Sequence, residues 1–390
     1  MDYVSRLLSF LPERELQRFA LHTQVNKYSK KLQGTLLFKL LFYCILTDKE
    51  NSLRGMQSAL ESSVFCSLIQ NTKSVHVAHS SISERLSHIK PAYFEKVFKY
   101  CVEAYQSLLT KQQLSVIRFD STIIALSSKL LHIGYHLKGG DAEEYRMLKF
   151  TIGYRDIPDC VYFYSDQKYT SENAALQESM LDHYCEEDNS LHLFDRGITS
   201  RANYDELTGR GMLFISRIDL QAKCTFISAN TVHKNIQTAT LIITEDRWAY
   251  LYSSNKKKTI YPVRIIKALR KEDGKPLSFI TNNKTLKAAE LTEIYRSRWQ
   301  IEVFFKFLKQ HLNFAHLLNR SENGVRVVVY VILTAAILLE AYKKEKQLKG
   351  YKIAKKKFCQ DMERDIIYNV VILCGGNARK AKQLLYQNTS

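Results

Sequence analysis

The segment SVIRFDSTIIAL, residues 115–126, narrows the fold more than any other. Its β-branched and aromatic residues crowd together as in a buried strand, and Asp120 closes the apolar stretch IRFD. The preceding residues read differently. ERELQRFALH, GTLLFKLLFYCILT, LRGMQSALES and PAYFEKVFKYCVEAYQSLL repeat their apolar positions at helical spacing, with almost no strand signal. In HSSISERLSHI, the serines Ser80, Ser81 and Ser83 precede an apolar run, which predicts a capped helix start or, alternatively, a DNA-facing element. A chain that begins helical and then commits to strands must bury a sheet face under helices. The segments after 126 supply both: strands LKFTIGYRD and CVYFYSD, a helical SENAALQESMLDHYC, a short LHLFD, a helical RANYDELTG and a strand MLFISRI. This order predicts a mixed α/β sheet covered by helices. From 218 to 282, short runs such as TLIIT, WAYLY, YPVRIIKAL and LSFIT, separated by polar turns, predict a β-rich insertion.

Composition limits the partners. The 390 residues carry 57 Lys and Arg against 39 Asp and Glu, a formal charge of +18, which favours a polyanion and in particular nucleic acid. Lys256–Lys258 and Lys355–Lys357 are basic clusters that either face solvent or touch phosphates. The eight cysteines lack zinc-finger spacing and read as core thiols of a reducing cytosol. MDYVSRLLSF has no signal-peptide pattern, and VVVYVILTAAILL (327–339) is shorter than the roughly 20 residues a bilayer requires, so it reads as a buried helix and no membrane partner is expected.

The stretch YRSRWQIEVFFKFLK (295–309) predicts one continuous helix. At about 100° per residue, Tyr295, Arg298, Glu302 and Lys309 fall within roughly 60° of one another along about 21 Å of axis. Ile294, Ile301, Phe305, Leu308 and Leu312 form an apolar stripe beside them, while Trp299, Val303, Phe304 and Phe307 cover most of the rest, so the helix should be largely buried. A buried Glu302 needs a partner. It either pairs with Arg298 and Lys306, as on many ordinary helices, or faces a wet, charged site.

A second carboxylate, Asp195, ends LHLFD as Asp120 ends IRFD. Each alone reads as a turn or cap residue. If their strands are neighbours, both lie at one sheet edge, and the helix carrying Glu302 could add a third acid. Three such acids call for a hard divalent cation with oxygen ligands, Mg²⁺ or Mn²⁺. Two ions in such a site suit in-line displacement at a phosphodiester. Arg298 and Lys309 would then bind phosphates, and Tyr295 would donate its hydroxyl to a phosphate or stack on a base.

The spacing Tyr295, Arg298, Glu302, Lys309 resembles the Y-R-E-K signature of DDE insertion-sequence transposases, specifically the group named after insertion sequence four. FDSTII resembles the region of that family's first Asp and FDRGITS that of the second, while FITNN followed by LTEIYRSRWQIE resembles the approach to the third acid. The likeness covers roughly residues 115–315, with Ile198 standing where an aromatic is common. It implies a ribonuclease-H-like catalytic domain with a β-rich insertion before the Glu helix. It also implies Asp120, Asp195 and Glu302 as metal-binding triad, double-stranded DNA (transposon ends and target) as partner, and a homodimer on paired ends in a bacterial cytoplasm, at the nucleoid. Some members pass through a DNA hairpin; Trp248 is a candidate for the aromatic that receives a flipped base there, against an ordinary core Trp. The expected organisation is a helical N-terminal domain that binds DNA ends (1–112), a first part of the catalytic core (113–217), the insertion (218–282), a second core part with the Glu helix (283–322), and a helical C-terminal segment that could dimerise (323–390). Two other readings remain at this point: a catalytically inactive DNA-binding derivative, and a ribonuclease-H-like nuclease without strand transfer.

Overall fold

The computed structural model describes residues 11–47, 52–69, 75–107, 115–126, 135–136, 146–186, 189–230, 236–314 and 321–386. The MDYVSRLLSF reading and the boundary expected near 112 lie outside these residues. The chain forms two compact units, one of Met1–Thr110 with Lys306–Ser390 and the other of Lys111–Phe305. The N- and C-terminal helices, read as separate parts in the sequence, thus share one unit.

In the helical unit, α1 (Glu13–Thr23), α2 (Gly34–Thr47), α3 (Leu53–Glu61), α4 (Ser63–Leu68), α5 (His79–His88) and α6 (Ala92–Gln106) come first. The long α11 (Glu322–Glu345) packs against α2, α5, α6 and α12 (Tyr351–Leu373), and α13 (Ala378–Tyr386) follows. Its VRVVVYVI run has strand-like propensity, but burial on nearly every side overrides it: Val325 and Val327–Val329 have no exposed surface. Ser321 Oγ caps the helix by accepting from Gly324 N at 3.0 Å. At 24 residues α11 is longer than the apolar run suggested, and 89% of its most apolar stretch is buried inside the protein, as in a core helix. The serines of α5 do not cap it. The N-cap position is Ala78, without a side-chain cap bond, and Gln57 Oε1 accepts from His79 N at 3.0 Å instead.

The second unit is built on one ten-stranded sheet among the described residues. Its strands are β1 (Ser115–Leu126), β2 (Tyr135–His136), β3 (Arg146–Tyr154), β4 (Pro158–Tyr164), β5 (Ser190–Leu193), β6 (Leu213–Arg217), β7 (Cys224–Ala229), β8 (Leu241–Leu251), β9 (Val263–Arg270) and β10 (Pro276–Thr281). The order runs β3-β1-β5-β6-β10-β9-β8-β7, with β2 and β4 both paired to β3. β1 is antiparallel to β3 and parallel to β5, and β5 is parallel to β6. This is the ribonuclease-H-like mixed sheet. The strands of the β-rich segment do not fold apart from it: β10 returns antiparallel to β6 and carries β9, β8 and β7 as a continuation of the same sheet.

Helices cover both faces. On one, α7 (Glu172–His183) and α8 (Arg201–Gly209) bury Leu176, Met180, Tyr204 and Leu207 against Ile117, Phe119, Phe194 and Phe214. On the other, α9 (Ala288–Arg296) packs Leu291 and Tyr295 against Leu191, Leu193, Ile215 and Phe279. The FITNN segment fixes where α9 begins. Asn282 accepts from Phe214 N at 3.0 Å and donates to Met212 O at 2.7 Å, and Asn283 Oδ1 accepts from Thr285 N and Leu286 N. The eight cysteines are free thiols. Cys44, Cys66 and Cys101 are buried, whereas Cys185 and Cys374 are exposed and do not fit the core reading.

Candidate active site

The parallel register aligns the first two acids. Arg118 of β1 pairs with Leu193 of β5, the last residue of that strand. Asp120 and Asp195 each lie two residues further on, so both stand just past the carboxyl end of the parallel pairing. Asp120 does not end its own strand, as IRFD suggested; β1 continues to Leu126 beside β3, and it is β5 that stops.

Each carboxylate is anchored locally. Asp120 Oδ1 accepts from Ser121 N at 2.8 Å, and Asp195 Oδ1 accepts from Gly197 N at 2.7 Å, the ordinary turn role weighed for it. Ser216 Oγ holds the Asp195 carbonyl at 2.7 Å. Burial pushes the Asp120 carboxyl up to about 7. The Ser121 N–H and the Arg298 guanidinium oppose that shift, while the charges of Asp195 and Glu172 add to it.

Glu172 belongs to this cluster, and sequence reading missed it. It stands in the first turn of α7, where an acid is unremarkable beside a helix N-terminus. Its side chain crowds the Asp195 turn so closely that a Cβ on Gly197 would clash with Glu172 Oε2 and stand 2.9 Å from Asp195 Oδ1. Burial, then Asp195, raise its carboxyl, and Lys149 opposes them. Lys149 is itself buried, with Nζ donating to Thr170 O at 2.9 Å.

The third expected acid arrives on a helix that is not continuous. α9 ends at Arg296 and α10 runs from Trp299 to His311, with a turn at Ser297–Arg298. The cause is on β1. Arg118 Nε donates to Ser297 O at 2.9 Å and its Nη2 to Ser297 Oγ at 2.8 Å, and Ser297 Oγ in turn donates to Ile294 O. With that carbonyl drawn to Arg118, the backbone closes through tighter bonds three residues apart, including Arg298 N to Tyr295 O and Ile301 N to Arg298 O. Arg118 also donates to Arg155 O at 2.6 Å.

Arg298 therefore sits in a turn, with its Nη1 3.9 Å from Asp120 Oδ2 and its Nη2 2.5 Å from Glu302 Oε1. The ordinary intrahelical pair considered for Glu302 is thus formed, and Arg298 links Glu302 to Asp120. Among the described residues no three His, Cys, Asp or Glu side chains stand close enough to hold a metal. The donor chemistry nevertheless fits a hard divalent cation. Asp120, Asp195 and Glu172 are carboxylates whose charges oppose one another, with Arg298 as the cation between Asp120 and Glu302.

Tyr295 is buried rather than presented for stacking. Its ring meets Phe279 edge-on at 5.3 Å and 71°, and its hydroxyl makes no well-directed hydrogen bond. Burial pushes that hydroxyl up to about 12, against Arg298 and Arg217, while Asp195 adds to the rise. Arg217, at the end of β6, was also missed; its buried Nε lacks a hydrogen-bond partner. Nothing in MLFISRI marks it apart from a strand-end arginine. Lys309 is exposed on the part of α10 that belongs to the helical unit. Trp299, expected in the core, is 64% exposed, and Val303 is exposed as well. Trp248 is half-buried in β8, paired with Arg264 of β9, and Ile198 lies in the core under α7 and α8.

The family described as transposase DDE domain matches residues 111–338. Curated relatives include "Putative transposase y4zB" of Sinorhizobium fredii, 24% identical over 39% of this chain and 42% of its own length. Another is "Putative transposase for insertion sequence element IS4SA" of Synechocystis sp., 22% identical over 63% of this chain and 67% of its own. A third, "Probable transposase for insertion sequence element IS5377" of Geobacillus stearothermophilus, is 33% identical over 18% of this chain and 19% of its own. The chain spans less than half of the first of these relatives.

Proposed function

Because the chain belongs to the family of transposase DDE domains, we propose that it is an insertion-sequence DNA transposase. In this reading it binds transposon ends, cleaves DNA strands with the help of divalent metal, and joins the freed ends to target DNA by a cut-and-paste route. The observation that carries the reading is the matched register of Asp120 and Asp195 at the carboxyl end of β1 and β5, with Arg298 joining Asp120 to Glu302.

Asp120, Asp195 and Glu302 would hold the metal, Mg²⁺ or Mn²⁺, as a pair of ions. Bound there, a metal pair supplies charge neutralisation for the attacking and leaving oxygens of an in-line displacement. The chain's own residues do the rest. Arg298 and Lys309 grip phosphates of the reacting strand, Arg298 with a fork that can bind two oxygens. Tyr295 would donate its hydroxyl to a phosphate oxygen, for which that buried hydroxyl has first to be uncovered. In the first step a water oxygen bonds to phosphorus, the bond to the 3′ oxygen breaks, and that oxygen takes up a proton. In the second, the oxygen of the new 3′ hydroxyl bonds to a phosphorus of the target, the bond from that phosphorus to the target's 3′ oxygen breaks, and the proton given up by the attacking hydroxyl ends on the leaving 3′ oxygen. The N-terminal helices would bind the DNA ends, the C-terminal helices would join two copies into a homodimer, and the site of action is the bacterial nucleoid.

Short inverted repeats flanking the encoding gene are expected. Asp120→Ala, Asp195→Ala and Glu302→Ala are each expected to lose end cleavage entirely while folding and binding the ends as the wild type does. Metal-dependent cleavage retained by Glu302→Ala would overturn the assignment.

A further inference from the structure

A cavity of about 860 Å³ opens between α8, with the two residues before it, and the turn that joins β8 to β9. Thr199, Ser200 and Arg201 form one wall, and Tyr252, Lys257 and Lys258 the other. Both walls are ordered by hydrogen bonds. Asn173 Oδ1 accepts from Thr199 N at 2.6 Å and from Ser200 N at 3.0 Å. The opposite turn closes through Ser253 N to Lys257 O at 2.9 Å and Lys257 N to Ser253 Oγ at 3.1 Å, with Lys256 in the left-handed region at φ 58°.

The charges of the cavity are unevenly satisfied. Its two acids already have partners: Asp205 Oδ1 accepts from the amides of Ile260 and Tyr261, at 2.9 and 3.0 Å, and Glu206 pairs with Arg210 at 2.9 Å. Among the described residues the cations do not have acidic partners. Arg201 donates to two carbonyls, Tyr252 O at 3.4 Å and Thr199 O at 3.3 Å, and its guanidinium lies 6.0 Å from the centre of the Tyr204 ring. Lys258 rests 3.7 Å above the Tyr250 ring, and neither it nor Lys257 forms an ion pair among the described residues. Around them stand the hydroxyls of Thr199, Ser200, Tyr252, Ser253 and Ser254. Cations with hydroxyl donors and no committed carboxylate are what phosphate oxygens take from a protein.

We propose that this cleft is a subsite for the sugar-phosphate backbone of DNA beside the position of cleavage. The inference rests on the transposase reading and extends it to a surface for which sequence gave only a lysine cluster. Continuity supports it: Arg201 opens α8 six residues after Asp195, at the end of the loop that leaves Asp195, so a strand held at Asp195 has only to follow that loop to enter the cleft. The exposed Ile260 and Tyr261 at its rim offer apolar surface to the sugars.

The test compares the wild-type chain of 390 residues with Lys257→Gln/Lys258→Gln for binding of a labelled duplex of about 40 base pairs in EDTA over a range of salt concentrations. Removing two phosphate contacts makes the dependence of log affinity on log salt shallower by about 1.8. Lys257→Arg/Lys258→Arg keeps the wild-type slope, and Lys271→Gln/Lys275→Gln, on another turn of the sheet, changes it by less. An unchanged slope in the glutamine pair, or an equal change in the Lys271/Lys275 pair, overturns the cleft while leaving the transposase reading intact. Absence of duplex binding by the wild type would instead overturn that reading. Saturable binding of a mononucleotide that the glutamine pair abolishes, with duplex binding untouched, would also overturn the backbone subsite.

Discussion

Replacing Asp120 by asparagine tests the electrostatics of the site without removing its shape. The carboxyl ordinarily ionises near 3.8 and is pushed up to about 7 here, with its side chain 20% exposed. At about 1.4 kcal/mol per tenfold change in proton affinity, holding it ionised costs the fold up to about 4 kcal/mol. Local relaxation trims such values, and roughly 2 kcal/mol is the expectation. The sign follows from the direction of the shift. The folded state holds this proton more tightly than the unfolded chain, so the stabilisation is complete below 3.8 and is lost as pH rises through 7. Asparagine does not titrate. Urea melts in EDTA should therefore find Asp120→Asn close to the wild type at pH 4, more stable than it by pH 6, and ahead by the full margin at pH 8. Adding Mg²⁺ at pH 8 should stabilise the wild type and leave the variant almost unmoved. A stability difference that does not vary with pH would refute the reasoning, because it would place the effect in packing rather than in charge.

Arg118→Leu removes the two bonds that interrupt the ladder at Ser297 and is expected to cost about 3 kcal/mol in melts; if α9 and α10 still break at Ser297 in its structure, the turn has another cause. Gly197→Ala should lower stability by about 1 kcal/mol, and Glu172→Ala in the same chain should restore most of it; no recovery would mean that the clash lies elsewhere. Lys309→Ala should make the salt dependence of DNA affinity shallower by about one counterion, and an unchanged slope would mark Lys309 as a solvated surface charge.

The succession of strands and helices along the chain could be read from the sequence because it depends on local apolar runs, whereas the nearness of Asp120 and Asp195 held only on the condition that their strands are neighbours, which the pairing of β1 with β5 supplies. Periodicity also located α11, since an apolar run with no polar face can only be buried. Features created by distant partners could not be read. The break at Ser297 is imposed by Arg118, 179 positions earlier in the chain, and no helical propensity in YRSRW announces it. Glu172 looked like any first-turn acid until the Asp195 turn folded against it. The burial of Tyr295 and the exposure of Trp299 follow from the same break, which turns α10 relative to the stripe projected from a continuous helix. Strands of the β-rich segment were foreseen, but not that β10 would dock on β6, because an edge left open by one strand is invisible until its neighbour is known.

Arg298 has one guanidinium and at least two claims upon it. It faces Asp120 and pairs with Glu302 in the protein as it stands, with its Nη2 committed to Glu302. Any cation that takes over those acids, and any phosphate that takes over the arginine, must displace an existing partner. Ligand capture at this site is therefore an exchange, not an addition, and each newcomer frees what the other needs. The resting site carries its own counter-ion for two of its acids, and the two halves of its substrate complex should assemble together more readily than either does alone.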